Sequence, residues 1–426
     1  MNQESTIERP NRWLYIDFNS YFASVEQQLN SALRGRPVAV VPVMTDATSA
    51  IAASYEAKAY GIKTGTPVWE AKAKCPGLIC VLGNHEAYVE YHHRAIAEIE
   101  NHIPVTMVCS IDEIACRLLS NENSLKRSTE IAMSIKRGLA KNVGEFVKCS
   151  IGIAPNRYLA KVARDMQKPD GLTFLNTSDL PHKLYSLELR DLPGIGRNME
   201  KRINTLGIWS VEALCALDAR QMRHLWGSIW GERMWYYLRG VELPDEETTR
   251  GSVGHSHVMA PELRHPDKAR YVTRRLTLKA TSRLRRLGYD AKTISLSMRL
   301  EDGRRFISEM HCMAASDSLI FLHMLEQMWS TIIGQTGRGF RIKKVSVTFY
   351  RLTLSGTAQP DLFAPISAEQ IAERDRAMRM SKALDTLNQR YGRDTVALGM
   401  LPKDGRSFSG TKIAFTRIPD SEEFLE

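Results

Sequence analysis

Three carboxylates stand where strand-forming segments end, and this placement points to shared chemistry. Asp17 directly follows the apolar run WLYI, which has the composition of a buried strand. Asp112 and Glu113 lie at the bend between two β-type halves of the segment VTMVCSIDEIACRLL. Carboxylates held close together repel each other and are costly to bury. Divalent cations relieve that repulsion, and two ions roughly 3.5–4 Å apart can hold the attacking and leaving oxygens of a phosphoryl transfer.

A structural role is the alternative for each acid. Asp17 could cap the helix that follows it, and Asp112 with Glu113 could simply form a turn. For any one of these residues alone the structural role is the commoner one. The three together, on the topology described next, favour a shared site.

The elements around these acids follow a recognisable order. WLYIDF predicts a strand, EAYVEYHHRAIAEIENHI a helix, and the segment with Asp112 a hairpin. SLKRSTEIAMSIKRGLAKNVG then predicts an amphipathic helix and FVKCSIGIA a last strand. This strand–helix–strand–strand–helix–strand order is the ferredoxin-like pattern of an α+β fold. Its first and third strands are neighbours in the middle of the sheet, so Asp17 would meet Asp112 and Glu113 at one edge.

An insertion lies between the first strand and its helix. Residues 21–33 predict a helix and PVAVVPV a strand, and the Ala-rich segment SAIAASYEAKAYG predicts a second helix that ends at Gly61.

From about Asp191 the chain changes to helices and turns. In LPGIG, Gly194 and Gly196 would let backbone N–H groups approach a DNA phosphate at the start of the next helix. Alone, this pattern is more often an ordinary turn. A Trp-rich helical segment runs to Gly240, and the polar stretch ELPDEETTRGSVGHSH predicts a linker.

The third module combines a basic helix with alternating strands. RYVTRRLTLKATSRLRRLG predicts a helix with an apolar stripe at Val272, Leu276, Ala280, Leu284 and Leu287. The strands TISLSMRL and KKVSVTFYRL flank a second helix, and each would bury one face and expose hydroxyls and cations on the other. Such surfaces suit sequence-independent DNA binding, with a solvated basic face as the alternative. The candidate DNA contacts on the helix are Arg275, Lys279, Arg283 and Arg286.

Composition limits the classes of protein. With 426 residues the chain should form several domains, and its net charge of +10 favours a polyanionic partner. The seven cysteines are scattered without a metal-ligand spacing, which is typical of reduced thiols in the cytoplasm. No apolar run predicts an export signal or a membrane span.

Over residues 13–352 the sequence resembles the Y-family translesion DNA polymerases of the bacterial polymerase IV and V type. DFNSYFASVE is similar to the first motif of that family, SIDE at residues 110–113 to its second, and SIGIAPNRYLAKVARDMQKPDG to its third. The resemblance implies that Asp17, Asp112, Glu113 and the backbone carbonyl of Phe18 hold two Mg²⁺ ions, with Mn²⁺ as an alternative. A primer 3′-hydroxyl would then attack the α-phosphate of a dNTP.

The resemblance also implies a right-hand, multidomain architecture. The ferredoxin-like palm would comprise residues 11–19 and 85–175, small fingers 20–84, and a helix–hairpin–helix thumb 176–240. Residues 241–252 would form a linker, 253–355 an α/β little finger, and 356–426 a C-terminal tail.

The family positions around the nucleotide can be matched one by one. Phe22 stands at the steric gate, where an aromatic ring leaves no room for a ribose 2′-hydroxyl. Tyr21 beside it is grouped with the nucleotide site, although core packing is its simpler role. Tyr55 and Lys58, one helical turn apart, and Lys168 match positions that contact the triphosphate.

Three departures from the family pattern affect the subtype. Lys58 replaces the usual arginine of polymerase IV relatives, Ala52 lacks a hydroxyl, and Asn19 replaces a second acid of the first motif. Asn19 and Lys58 are more similar to the polymerase V type, so the choice between the two subtypes stays open.

The expected partners are primer–template DNA, dNTP and a sliding clamp, with no membrane. The protein would act either alone or with accessory damage-response proteins. QPDLF resembles the bacterial clamp-binding peptide, with Gln359, Leu362 and Phe363 as its anchors.

Two other classes compete with an active polymerase. A non-catalytic accessory subunit on the same fold would lack the metal carboxylates, which this chain keeps. A cyclase with a similar palm would lack the thumb and the basic C-terminal module.

Overall fold

The computed structural model describes residues 10–245, 249–337, 339–357 and 368–392, and also 395, 396, 398, 399 and 418. These residues form two compact units, the first ending at Asp245 and the second holding the described residues from 249 to 399. The helices and strands of the first unit are, in chain order, β1 (Trp13–Phe18), α1 (Tyr21–Leu29), β2 (Val38–Val41), β3 (Ala52–Ala53), α2 (Tyr55–Lys58), α3 (Val68–Lys74), β4 (Ile79–Leu82), α4 (His85–Glu100), β5 (Val105–Val108), β6 (Glu113–Arg117), α5 (Leu125–Gly138), β7 (Cys149–Ala154), α6 (Arg157–Met166), β8 (Leu172–Phe174), α7 (Arg197–Asn204), α8 (Val211–Cys215), α9 (Ala219–Trp226) and α10 (Ile229–Tyr237).

The second unit is built around one antiparallel sheet. Its elements are β9 (Ser252–Val258), α11 (Pro266–Arg286), β10 (Tyr289–Leu300), β11 (Arg305–Ala315), α12 (Ser318–Thr336), β12 (Ile342–Leu354) and α13 (Ala368–Tyr391).

All seven cysteines of the chain are free thiols. Within the described ranges, no helix has the length and apolar character needed to cross a membrane.

The central sheet of the first unit has the strand order β5-β6-β1-β7-β8. Strand β1 is antiparallel to both β6 and β7, and β8 adds to β7 in parallel. The first four strands have the ferredoxin-like order, so the predicted α+β class and the predicted neighbourhood of the first and third strands are confirmed.

The two faces of this sheet pack against different helices. Leu14, Ile16 and Phe18 of β1 lie in the core that includes residues of α1, α4 and α5. Trp13 and Tyr15 lie on the opposite face, in a core with residues of α6 and of α7–α10. Because side chains alternate along a strand, Asp17 lies on the Tyr15 side and therefore faces α6.

Helix α6 lies close to β7 because Gly152 has no side chain. A Cβ at this position would come within 2.1 Å of the Ala160 carbonyl oxygen and 2.4 Å of the Arg164 backbone nitrogen. The glycine of the predicted strand SIGIA thus sets the distance between the sheet and the helix that faces Asp17.

The Ala-rich segment before Gly61 is not one helix, and that prediction was wrong. Ala52 and Ala53 pair with β2 as a short strand, and helix α2 covers only Tyr55–Lys58. Ser54 explains the break, since its hydroxyl accepts from Val38 N at 3.1 Å and from Ala57 N at 3.3 Å. Strands β3, β2 and β4 form a separate small sheet in that order.

Helices α7–α10 follow the sequence LPGIG, which forms a tight turn. Ile195 N donates to the Leu192 carbonyl at 3.0 Å, and Gly194 has a positive φ of 95°. Pro and then a left-handed Gly at the two central positions are typical of a type II turn. Gly196 then precedes α7 in an extended conformation.

The predicted linker begins with residues that are attached to the first unit. Asn156 Nδ2 donates to the Val241 carbonyl at 3.0 Å, and Trp13 Nε1 donates to Glu242 at 2.8 Å. The last residue of the predicted linker, Ser252, is already the first residue of β9.

The sheet of the second unit has the order β11-β10-β12-β9. The predicted alternation is confirmed, since every second residue from Ile294 to Leu300 in β10 is buried, and so are Val345, Val347 and Phe349 in β12. Strands β9 and β11 were not predicted. They lie at the edges of the sheet. Burial alternates along β11, but Ile307 and Met313 on its exposed face are apolar, which hides the alternation in the sequence.

The buried face of α11 differs from the predicted apolar stripe. Ala280 and Leu284 are buried as expected, but Thr273, Thr277 and Thr281 are fully buried as well. Thr273 and Thr277 donate their hydroxyls to carbonyls one turn earlier, at 2.7 and 3.0 Å. A threonine whose hydroxyl is satisfied in this way can enter a core, which a purely apolar pattern does not anticipate.

Part of the predicted C-terminal tail is anchored to the second unit. Helix α13 contributes Ser381, which is fully buried and accepts from Ser318 N at 3.0 Å. Asp385 of the same helix forms a two-bond ion pair with Arg285, at 2.6 and 2.8 Å.

We expect Gly152→Ala to lower the free energy of unfolding by about 3 kcal/mol. The added methyl would overlap backbone atoms of Ala160 and Arg164, which cannot rotate away as a flexible side chain can. Urea unfolding followed by circular dichroism measures this change. Gly77→Ala is the matched control, since a Cβ there meets no atom within 4 Å. Equal stability of the two variants would contradict the close approach of α6 to β7.

Candidate active site

The three predicted acids lie at one end of the central strands. Asp17 is the register partner of Glu113 across β1 and β6. Phe18 N donates to the Asp112 carbonyl at 2.9 Å, which joins the end of β1 to the residue before β6. The Phe18 side chain is buried in the core, so this residue can offer only its backbone to the site.

Three cations approach these acids from α6 and from the turn after it. Arg164 binds Asp17 Oδ2 and also Glu113 Oε1, the latter at 2.6 Å. Lys168 Nζ lies 2.6 Å from Asp17 Oδ1, and Lys161 Nζ lies 2.8 Å from Glu113 Oε2. Both carboxylates are therefore compensated by side chains of the protein itself.

Asp112 has a different environment from the other two acids. Ser110 Oγ donates to its Oδ1 at 2.6 Å, and it makes no ion pair with any residue that the structure describes. Burial raises the pKa of Asp112, and the nearby Glu113 carboxylate raises it further. This acid is the one whose charge most needs an external cation.

The donor set fits a divalent metal by its chemistry. Three carboxylates and a backbone carbonyl are hard oxygen ligands of the kind Mg²⁺ prefers. As the side chains stand, no three acidic, His or Cys side chains of the described ranges converge into a metal-binding group. The reason is visible in the contacts, since Asp17 and Glu113 are turned towards Arg164, Lys168 and Lys161.

A buried histidine holds the turn that carries Asp112. His92 of α4 is 1% exposed, and its Nδ1 donates to the Ile111 carbonyl at 2.7 Å. Burial lowers the pKa of His92 to about 4, so the ring is neutral at physiological pH. The neutral ring links α4 to the residue before Asp112.

Asn19 connects the end of β1 to the turn that carries Lys168. Its Nδ2 donates to Ser150 Oγ at 3.0 Å, and its Oδ1 accepts from Asp170 N at 2.8 Å. The amide is both donor and acceptor here, which explains why an asparagine suits a position where the family pattern has an acid.

Phe22 lies on α1 against aromatic residues of α4. Its ring stacks on Tyr88 with centroids 4.3 Å apart, and it is 9% exposed. Tyr21 points into the core instead, with its hydroxyl bound to the Tyr88 carbonyl at 2.6 Å. These contacts give the Tyr21 side chain a packing role, and its grouping with the nucleotide contacts stays a prediction.

Tyr55, Lys58 and Lys168 form a second group close to the acids. Lys58 Nζ lies over the Tyr55 ring, 4.3 Å from its centroid. Burial lowers the pKa of Lys58, and the positive charge of Lys168 lowers it further. Two lysines that repel each other beside an aromatic ring make a site suited to a polyanion.

The helix–hairpin–helix residues lie together at the start of α7. Gly194 forms the turn, and a Cβ at Gly196 would meet no atom within 4 Å, so the start of the helix is open on that side.

Helix α11 packs against one face of the sheet of the second unit. Of its predicted basic residues, Lys279 and Arg286 are exposed, whereas Arg275 and Arg283 are half-buried. Burial and the charge of Arg275 lower the pKa of His257 in β9 to about 4, so Arg275 lies near that strand. The open face of the sheet is on the other side and carries Arg299 opposite Lys344, and Ser297 opposite Ser346. The four helix residues at issue are Arg275, Lys279, Arg283 and Arg286.

The predicted clamp-binding residues Gln359, Leu362 and Phe363 lie outside the described residues.

Sequence reasoning missed Arg164, Lys161 and His92. The first two had a usable signal, because Lys161 and Arg164 are three residues apart and so share one face of α6. His92 had no such signal, since its partner is a backbone carbonyl of a distant turn.

The ferredoxin-like sheet with acids at the end of its central strands, the small sheet beside it, the helix–hairpin–helix and the second α/β unit define a nucleotidyl-transferring polymerase of the right-hand type. Family models give the same result. The impB/mucB/samB family matches residues 16–165, its C-terminal domain matches residues 250–362, and the IMS family HHH motif matches residues 177–208.

Curated relatives match along most of the chain. A DNA polymerase IV of Moorella thermoacetica is 31% identical over 89% of this chain and 93% of its own length. A DNA polymerase IV of Pelotomaculum thermopropionicum is 31% identical over 90% and 93%. The chain belongs to the impB/mucB/samB family, the Y-family of translesion DNA polymerases.

Solved structures share the fold. A Y-family DNA polymerase chimera has a TM-score of 0.67 at 21% identity, covering 81% of this chain and 100% of that one. An insertion ternary complex of Dbh DNA polymerase has a TM-score of 0.53 at 22% identity, covering 81% and 100%. Membership of the family implies dependence on a divalent metal and binding of DNA and a nucleoside triphosphate.

We expect His92→Asn to weaken the pH dependence of stability. In the wild type, the unfolded chain binds a proton at His92 near pH 6.5 and the folded chain only near pH 4. This contribution to stability is complete above pH 6.5 and falls by up to about 3 kcal/mol as the pH drops to 4.

Urea unfolding between pH 7.5 and 4 measures the difference between the variant and the wild type, which should shrink as the pH falls. His93→Asn, which removes an exposed imidazole from the same helix, is the control. A difference that does not vary with pH would show that His92 is not the titrating group.

Proposed function

We propose that this chain extends a primer 3′ end on template DNA with two Mg²⁺ ions, held by Asp17, Asp112, Glu113 and the Phe18 carbonyl, and that Mn²⁺ can replace them. When bound, such ions supply charge stabilisation at the α-phosphate and lower the pKa of the attacking hydroxyl. The observation that carries this proposal is the placement of the three acids at the ends of adjacent strands β1 and β6, with Asp17 as the register partner of Glu113 and Asp112 directly before β6.

The lysines give the nucleotide a place beside the acids. Lys168 binds Asp17 and Asp165 at 2.6 and 2.8 Å. A triphosphate is a stronger anion than either carboxylate, so its arrival would draw Lys168 away and release Asp17 Oδ1. Lys58 and Tyr55 would contact the same triphosphate.

Phe22 is proposed as the steric gate. Its ring is held by stacking on Tyr88, whose hydroxyl is in turn fixed by Glu26 at 2.6 Å. A ring supported on one side in this way cannot move aside for a 2′-hydroxyl, and an apolar ring offers that group no hydrogen-bond partner.

DNA would be bound at two surfaces. The open start of α7, with Gly194 and Gly196, suits a backbone phosphate. The open sheet face of the second unit, with Arg299, Lys344 and the serines between them, suits a phosphate backbone better than the row on α11, because its cations and hydroxyls lie in one plane. The proposal also includes the predicted domain boundaries, binding to a sliding clamp, action alone or with accessory proteins, and a cytoplasmic location.

We expect Asp112→Asn to reduce primer extension with Mg²⁺ at least about a thousandfold, because it removes the charge of a proposed metal ligand while keeping its shape. The assay uses purified full-length protein with primer–template DNA and dNTPs. Asp302→Asn, an exposed turn residue of the second unit, is the control for loss of one negative charge. Extension by Asp112→Asn at the wild-type rate would refute the polymerase mechanism.

We expect Phe22→Ala to lower discrimination against ribonucleotides by about a hundredfold, because the space beside the sugar opens. The measurement is the ratio of kcat/KM for a dNTP and for the matching rNTP. Val25→Ala makes a cavity on the same helix and should leave this ratio unchanged. An unchanged ratio in Phe22→Ala itself would remove this residue from the gate role.

A further inference from the structure

One of the cations beside the acids is built into the core. Arg164 is 5% exposed, and its two terminal nitrogens bind different acids, Asp17 and Glu113. Its guanidinium lies over the Tyr15 ring, 5.5 Å from the centroid. A single buried positive charge therefore bridges two of the three proposed metal ligands.

Arg164 is less able to withdraw than the other cations of the site. The Arg164 backbone is pressed against β7, where a Cβ on Gly152 would lie 2.4 Å from its nitrogen. The Arg164 side chain is 6% exposed, compared with 28% for Lys168 and 33% for Lys161. The Nε of Arg164 has no hydrogen-bond acceptor within the described part of the chain, so carboxylates on its terminal nitrogens compensate its charge. They are Asp17 and Glu113, with Asp165 Oδ2 farther away at 3.4 Å.

The pairing has two opposite consequences. Without a metal, the guanidinium offsets the repulsion between Asp17 and Glu113 and holds them side by side. With a metal, a divalent cation between the same acids would meet a fixed positive charge a few ångströms away, and the two cations repel each other.

We propose that Arg164 is a positioning residue that holds Asp17 and Glu113 in the metal-free enzyme and competes with the divalent cation for them. This inference rests on the proposed function, since it takes these acids to be metal ligands. Metal binding to the free enzyme is then weak, and it strengthens when a nucleotide adds negative charge to the site.

The test measures Mn²⁺ binding to the full-length protein, without DNA or dNTP, by the loss of the free-ion signal in electron paramagnetic resonance. Arg164→Gln should bind Mn²⁺ at least about tenfold more tightly than the wild type. Arg157→Gln removes a positive charge from the first residue of the same helix, where the side chain pairs with Asp245, and should bind as the wild type does.

A second measurement separates this role from simple packing. In EDTA, Arg164→Gln should unfold at a lower temperature than the wild type, because the acids lose their counter-charge. Added Mn²⁺ should raise the melting temperature of the variant more than that of the wild type. A loss of stability that is the same with and without Mn²⁺, or an unchanged or weaker affinity, would overturn the inference.

Asp112→Ala distinguishes this failure from failure of the proposed function. If the wild type and Asp112→Ala bind Mn²⁺ equally, the metal site itself is wrong. If binding depends on Asp112 but Arg164→Gln leaves the affinity unchanged, only the role of Arg164 is wrong. If Arg164→Gln does not fold, Arg164→Lys is used for the test instead. One ammonium cannot bridge both acids as the guanidinium does, so Mn²⁺ should again bind more tightly than to the wild type.

Discussion

The repulsion between carboxylates at the ends of two adjacent strands is the constraint on which the rest of the structure depends. Asp17 and Glu113 are register partners, so neither can move away from the other without breaking the sheet. Arg164 and Lys161 of α6, with Lys168 of the turn after it, offset this repulsion. That helix reaches the acids because Gly152 lets it lie close to the sheet. The need to hold these acids together is thus met by the packing of α6 on the same face of the sheet as Asp17.

The elements around the acids act as supports for particular atoms. His92 holds the carbonyl before Asp112, and Asn19 holds the turn that carries Lys168. Tyr88 supports the ring of Phe22 and is itself fixed by Glu26. Each support joins a residue near the acids to a different helix or strand, so a change in packing elsewhere in the first unit can displace a proposed site residue.

Much of the fold could be predicted because its pattern is local. The order of strands and helices in the palm follows from periodicity, and so does the alternation in β10 and β12. The elements that were not predicted correctly have identifiable physical causes. The alanine content favours one long helix, but Ser54 interrupts it. Its hydroxyl accepts from two backbone amides, and helix α2 begins only after it. Thr273 and Thr277 enter a core because helix carbonyls satisfy them. Edge strand β11 alternates in burial but carries apolar Ile307 and Met313 on its exposed face, so its sequence does not show the alternation.

By itself the sequence determined which residues could do chemistry, because carboxylates, lysines and an aromatic ring in these motifs have few other common uses. It also determined the family, through the same motifs. The tertiary structure decided how those residues are charged and supported. The bridge from Arg164 to Asp17 and Glu113 and the hydrogen bond from His92 to the Ile111 carbonyl join residues far apart in the chain. Only tertiary packing brings such residues together, and the periodicity of the sequence does not predict these contacts.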